Sequence, residues 1–199
     1  FFGALESGLI YGLVALGVLI SFRTLDFPDL TADGSFPLGG AVAGISIIAG
    51  VNPWLACVFG TLAGSVAGIV TAWLHVKLNI LQLLASILVM VALYSVNLRI
   101  MGAPNLPLLG ETTVFSAVVT PENGAWMRCL IIAGVIIFAK LGLDWFYSTE
   151  SGLSMRATGS NLRMAQAQGI NTSKMTIIGM AISNGLIALA GALFVQTQG

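Results

Sequence analysis

Carboxylates offer the clearest potential for chemistry in this chain, because they stand out against an overwhelmingly apolar background. Three of them fall within residues 23–37, between two apolar stretches. Ionisable groups among membrane-soluble residues are costly and commonly mark polar pathways, where they attract cationic groups such as an amine. Together with other polar residues near apolar stretches they form a candidate path through a membrane. The candidate path residues are Glu6, Asp26, Asp29, Asp33, Ser35 and Asn184.

Residues 23–37 also contain Pro28, Gly34 and Pro37, which are not expected to continue a helix. The apolar stretch that follows, residues 36–51, has about 16 residues and is short for a full crossing. A broken polar segment that leads into a short helix is typical of discontinuous transporter helices, whose irregular backbone lines a cavity. The same pattern is also typical of an ordinary loop whose polar residues cap the next helix.

Other chemistry has little support in the sequence. His75 is the only histidine and ends an apolar run, and Cys57 and Cys129 lie in separate apolar runs without a Cys or His at ligand spacing. Metal and disulfide roles are therefore not expected. The phosphate-binding loop and the common hydrolase motifs are missing, so we expect a chain that is not an enzyme and binds no cofactor.

The composition indicates an integral membrane protein. The 199 residues are 57% hydrophobic and 8% charged, whereas soluble domains carry about 25% charged residues. The mean hydropathy is +0.96. The formal net charge is zero, which gives no electrostatic footprint for nucleic acid.

The apolar pattern predicts an all-α polytopic membrane protein that forms a single transmembrane domain over residues 1–199. About six spans are expected, of which the second is short or discontinuous. Their expected ranges are residues 1–22, 36–51, 54–74, 80–100, 126–143 and 175–195. In the third span, Gly60, Gly64 and Gly68 recur every fourth residue, which predicts a close helix–helix contact.

Residues 156–170 are the longest polar stretch next to a span. Ser160 or Asn161 can cap a helix there, and good helix formers occupy residues 162–168. We expect a surface helix of at most two turns, bracketed by Gly159 and Gly169. So short a helix is unstable alone in water, which indicates that it rests on the protein and docks a partner.

Basic residues predict the orientation. If six spans cross the membrane in alternating directions, one side of the membrane holds six Lys or Arg residues and the other side holds only Arg99 and Arg128. The positive-inside rule then makes the segment from Asp144 to Lys174 cytoplasmic and places the loop from Gly102 to Gly124 outside.

The polar stretch resembles the cytoplasmic coupling loop of ATP-binding-cassette (ABC) permeases of the ribose and branched-chain amino acid group. The matching positions are Arg156, Ala157, Gly159, Asn161, Ala165, Gly169 and Ile170. The first span, with G-L-I-Y-G-L-V-A-L-G-V, is similar to the first span of that group. The sequence L-D-F-P-D-L-T-A-D-G-S-F resembles a branch with amino-acid-like cargoes.

This resemblance implies a permease subunit of an importer in the bacterial inner membrane. A second permease subunit in a homodimer, two ATP-binding subunits that hold ATP and Mg, an extracytoplasmic solute-binding protein and membrane lipid would be its partners. Permeases of the group have further spans after the sixth, so the chain is expected to be truncated at its C-terminus and slightly at its N-terminus. The residues implied in ATPase coupling are Arg156, Gly159, Asn161, Ala165, Gly169 and Ile170.

Two other functions fit the composition. A gradient-driven secondary transporter or channel would use Glu6, Asp26, Asp29 and Asp33 as ion-coupling groups and would need no ATPase. A membrane scaffold would carry no solute at all.

Overall fold

The computed structural model describes residues 2–102, 108, 113–116 and 124–198, and within these parts it is helical, without a strand. A π-helical turn, Ile20–Thr24, extends the first helix. The α-helices of the described residues are α1 (Phe2–Leu19), α2 (Ala32–Ile48), α3 (Pro53–Leu78), α4 (Gln82–Met101), α5 (Gly124–Ser148), α6 (Glu150–Ser160), α7 (Leu162–Ala167) and α8 (Thr172–Gln198).

Among the described residues, five helical segments are long and apolar enough to cross a membrane, and α2 is a shorter apolar helix. The prediction of about six spans with one short span is therefore confirmed. The expected end of the third span at residue 74 was too early, since α3 continues through His75 and Lys77 to Leu78. Polar residues at a span end do not stop a helix, and α3 ends only where Asn79 adopts a φ of 52°.

Helix α8 lies at the centre of the described structure and packs against α1, α2 and α3. The predicted glycine stripe of α3 makes one of these contacts. A Cβ atom on Gly64 would overlap Ala188, and one on Gly68 would overlap the backbone of Met180. Only glycine at these positions lets the two backbones approach so closely, which confirms the predicted helix–helix contact.

The expectation that Gly34 and Pro37 would not continue a helix was wrong, because α2 begins at Ala32 and contains both. Asp33 lies in the first turn, where a carboxylate favours the helix N-terminus. Pro37 removes one helical N–H, a loss that packed neighbouring helices make tolerable in membrane proteins. Gly34 permits close contact with Leu93 of α4.

The predicted break is confirmed, but it is confined to residues 25–31. Asp26 adopts a left-handed φ of 52°. The backbone N–H of Phe27 donates to the Ser21 carbonyl at 2.9 Å, which satisfies a carbonyl at the end of the π-helical turn. From here the chain runs alongside α8, so that Ser35 in α2 reaches Asn184 near the middle of the 27-residue α8.

The polar end of the bundle contains α6, which the sequence did not predict, and α7, which it did. The Thr149 hydroxyl accepts a hydrogen bond from the Gly152 N–H at 3.3 Å and so caps α6. Gly159 does not bracket α7, as was expected, but lies inside α6. A Cβ atom on Gly159 would overlap the Thr24 carbonyl. Because glycine has no side chain, α6 can pack directly on the end of the π-helical turn.

Most of the loop from Gly102 to Gly124 lies outside the described residues. Its described side chains Leu108, Val114 and Phe115 are buried in the same apolar cluster as residues of α1, α2 and α8. The Val114 N–H donates to Oε1 of Gln196 at 3.0 Å. These parts of the loop therefore cover the end of the bundle opposite α6 and α7.

Gly68→Ala is expected to destabilise the protein by about 1–3 kcal/mol, because the new methyl group forces α3 away from α8. Unfolding in a mixed detergent titration measures the change. Gly12→Ala is the matched control, since a Cβ atom there has no described neighbour within 4 Å. Equal stability of the two variants would contradict the described packing of α3 on α8.

Candidate functional site

A hydrogen-bonded group of polar side chains lies inside the bundle. Nδ2 of Asn184 donates to Oδ2 of Asp29 at 2.8 Å, and the Ser35 hydroxyl donates to Oδ1 of Asn184 at 2.6 Å. The backbone N–H of Thr31 donates to Oδ1 of Asp29 at 2.8 Å. The hydroxyl groups of Thr31 and Thr71 are 2.9 Å apart. We call these five residues the polar bridge.

The polar bridge connects three helices to the irregular connection of residues 25–31. Asp29 is 2% exposed and Asn184 is fully buried. A buried charge is tolerated only when hydrogen bonds replace its hydration, and both carboxylate oxygens of Asp29 accept one. The bridge therefore holds the start of α2 against the middle of α8, while Thr71 joins it to α3.

The structure separates the candidate path residues. Asp29, Ser35 and Asn184 meet in the polar bridge. Asp26 is exposed at the far end of the connection, and Glu6 is half-buried near the start of α1. Thr31 and Thr71 of the bridge were not predicted, since a threonine in a polar connection or an apolar span gives no distinctive signal.

Asp33 is exposed on another side of α2, where it lines a cavity of about 380 Å³ between α2 and α4. The lining residues are Asp33, Gly34, Pro37, Met90, Val91, Tyr94 and Asn97. Nδ2 of Asn97 donates to the Gly34 carbonyl at 3.4 Å. Asn97 was visible in the sequence as a polar residue in the fourth span, but its position beside Asp33 was not.

The second cluster lies at the polar end. Oδ1 of Asn161 accepts a hydrogen bond from the Met164 N–H at 3.0 Å, which confirms Asn161 as the N-cap of α7. Gly169 follows α7 with a φ of 81°, and this left-handed conformation ends the helix as expected. Ala165 is buried, and its carbonyl accepts from the Ile170 N–H at 3.0 Å.

Helix α6 connects this short helix to the membrane-spanning part. The guanidinium of Arg156 lies 4.5 Å from the centre of the Tyr147 ring. The hydroxyls of Tyr147 and Thr24 are 3.0 Å apart, and Gly159 packs on the backbone of Thr24. All of the expected coupling residues therefore belong to one continuous structure, although their exposure differs.

The outer surface of α7 carries side chains without a packing partner. Leu162 and Met164 are more than half exposed, and Arg163 between them is exposed as well. Large apolar side chains grouped on a polar end of a protein are typical of interaction sites. No group of three or more potential metal ligands occurs among the described residues.

The family model for the permease component of the branched-chain amino acid transport system matches residues 1–199. The chain belongs to this family. It is a multi-pass membrane protein, as the five long apolar helices and the family agree. No solved structure matches the chain.

Several relatives are transport permeases by name. The chain is 40% identical over 196 residues to the tyrosine transport system permease protein of Clostridioides difficile, which covers 98% of this chain and 64% of the relative. It is 25% identical to the probable branched-chain amino acid transport permease protein LivH of Methanocaldococcus jannaschii, over 95% of this chain and 64% of the relative. The autoinducer 2 import system permease protein LsrC of Yersinia pestis is 27% identical over 98% of this chain and 54% of its own length. The chain thus spans about two thirds or less of these relatives.

Asp29→Asn and Asn184→Asp are each expected to destabilise the protein. The first leaves one acceptor oxygen for the two N–H groups that Asp29 binds, and the second places two carboxyl groups in contact. The double variant restores one donor and one acceptor with their roles exchanged. It is expected to recover about 0.5–3 kcal/mol relative to the sum of the single changes.

A double-mutant cycle of unfolding free energies in detergent measures this coupling. Asp144→Asn serves as the control for the loss of an acid, since Asp144 pairs with Lys140 on the exposed surface of α5. Strict additivity of Asp29→Asn and Asn184→Asp would contradict their direct hydrogen bond.

Proposed function

We propose that this chain is the membrane-spanning permease subunit of an ABC importer that carries an amino-acid-like solute. Family membership supports the permease role, and the relative named for tyrosine transport favours an amino acid over a sugar. The observation that carries the proposal is α7, a capped helix of six residues with an exposed apolar surface, held beside the spans. Such a helix is suited to bind a separate subunit and to transmit that subunit's movement to the helical bundle.

In this proposal the residues around α7 have distinct tasks. Asn161 and Gly169 fix the two ends of α7, and Ala165 and Ile170 pack α7 against the rest of the protein. Nucleotide binding in the partner would move α7 and, through it, α6. Because Gly159 packs on Thr24, this movement reaches the connection of residues 25–31 and the polar bridge.

Arg156 has an anchoring task in the same proposal. Its guanidinium covers the Tyr147 ring, and Tyr147 in turn contacts Thr24 through its hydroxyl. A cation over an aromatic ring contributes about 0.5–1 kcal/mol at exposed sites. Arg156 would therefore keep α6 and the end of α5 moving together.

The remaining assembly follows from the same proposal. ATP and Mg would be held by two ATP-binding subunits, with no cofactor on this chain. A second permease subunit, surrounded by lipid, would complete the path, and a solute-binding protein would deliver the cargo from outside. In the bacterial inner membrane α6 and α7 would face the cytoplasm, and the loop from Gly102 to Gly124 would face outward.

A gradient-driven transporter is the alternative, favoured by the buried carboxylate of Asp29 in the middle of the bundle. The two functions differ in their energy source. An ABC importer binds an ATPase and needs ATP. A gradient-driven transporter stops when the ion gradient is dissipated and needs no ATPase.

Met164→Glu is expected to weaken binding of the ATP-binding subunit by about tenfold or more, because an exposed apolar contact would be replaced by a charge. Co-purification in detergent and ATP-driven uptake into proteoliposomes measure the effect. Ser151→Glu, at a position in the first turn of α6 that is also exposed, is the control and should retain both activities.

Unchanged association by Met164→Glu would contradict the assignment of α7 as the coupling helix. If the folded wild-type protein binds no ATP-binding subunit and its uptake follows an ion gradient, the gradient-driven transporter replaces the ABC importer.

A further inference from the structure

We propose that the cavity between α2 and α4 binds the ammonium group of the transported solute, with Asp33 as its counter-ion. This inference rests on the proposed function and adds the site and the chemical group that it recognises. It is carried by three features of the cavity: a carboxylate without a partner, a buried amide oxygen without a partner, and a proline that removes a donor.

Asp33 lies in an environment that requires a polar neighbour. It is exposed in the first turn of α2, two residues before Ser35, which contacts Asn184 near the middle of α8. Its carboxylate has neither a hydrogen bond nor an ion pair among the described residues. A carboxylate at such depth is costly against lipid and is stable where it faces water or a cation.

Asn97 supplies the second acceptor. The residue is 6% exposed and lines the cavity. Its Nδ2 donates to the Gly34 carbonyl, which fixes the orientation of the amide, while its Oδ1 is buried without a partner. A buried acceptor left unpaired costs about 1–3 kcal/mol, so a ligand that turns this oxygen into the cavity and donates to it is stabilised.

The backbone adds to this excess of acceptors. Pro37 lines the cavity and has no N–H to donate to the Asp33 carbonyl four residues earlier. On the described cavity wall, the unused side-chain donors are the Tyr94 hydroxyl and the second N–H of the Asn97 amide. A ligand with several N–H donors and a positive charge complements these acceptors.

The size of the cavity suits a small solute. Its volume of about 380 Å³ lies within the range of about 300–1,000 Å³ that is typical of small-molecule pockets. The remaining wall, Met90, Val91 and Pro37, is apolar and suits a hydrocarbon or aromatic side chain. A cavity that binds an ammonium group beside an apolar side chain suits an apolar or aromatic amino acid.

The test uses the permease complex with its ATP-binding subunits in lipid nanodiscs, without a solute-binding protein. Saturation-transfer difference NMR, which detects weak binding, follows L-tyrosine and L-leucine. The competitors are tyramine, which keeps the ammonium and lacks the carboxylate, and 3-(4-hydroxyphenyl)propanoate, which lacks the ammonium. Tyramine should displace L-tyrosine, and the propanoate should not.

Asp33→Asn is expected to weaken amino acid binding roughly ten- to hundredfold, the effect of a lost hydrogen bond to a charged group. Asn97→Leu, which removes the free acceptor at similar volume, should weaken amino acid binding several-fold. It tests the same cavity independently, in case Asp33→Asn fails to fold. Asp144→Asn is the matched control and should bind like the wild type.

Three results would overturn the site: binding by Asp33→Asn and Asn97→Leu at the wild-type level, displacement by the propanoate as strong as by tyramine, or a wild-type complex that binds neither amino acid. ATP hydrolysis by the same samples separates this failure from that of the proposed function. A complex that hydrolyses ATP but fails these tests loses the ammonium site and keeps its assignment as an ABC permease.

Discussion

The structure depends on the hydrogen bonds that permit a helix to begin within the bundle. Inside a membrane, no water is present to form hydrogen bonds with backbone groups that lie outside a helix. Irregular segments therefore persist only where other protein groups form those hydrogen bonds. Asp29 and Asn184 do this for the connection between α1 and α2, as the carboxylate accepts from both the Thr31 backbone and the Asn184 side chain. Without this contact α2 would have no fixed starting point.

The same contact links the two clusters of polar residues. Helix α8 touches the connection at Gly179, where Leu25 and Met155 of α6 meet it, and again at Asn184. The glycines of α3 hold that helix close to α8 at Met180, Asn184 and Ala188. Because packed helices move as units rather than deform continuously, a displacement of α6 in the proposed mechanism would reach the polar bridge, which contacts α8 at Asn184, five residues after Gly179.

Much of this architecture could be predicted from the sequence. The length of the continuous apolar stretches located the spans, and the N-cap Asn161 and left-handed Gly169 predicted the ends of α7, because capping is local chemistry. Pro37 was misleading, since its effect on a helix depends on neighbours that only the tertiary structure supplies. The pairing of Asp29 with Asn184, 155 residues apart, could not be predicted, because each residue alone also suits a loop or an open path.

Thiol accessibility tests most directly whether Asp33 at the start of α2 faces a water-accessible cavity within the membrane. In a background with Cys57→Ser and Cys129→Ser, Asp33→Cys is treated in intact membranes with a hydrophilic methanethiosulfonate, alongside Phe138→Cys on the exposed surface of α5. Asp33→Cys is expected to react, and Phe138→Cys is not. An unreactive Asp33→Cys, at the level of Phe138→Cys, would place the start of α2 against lipid and contradict the account.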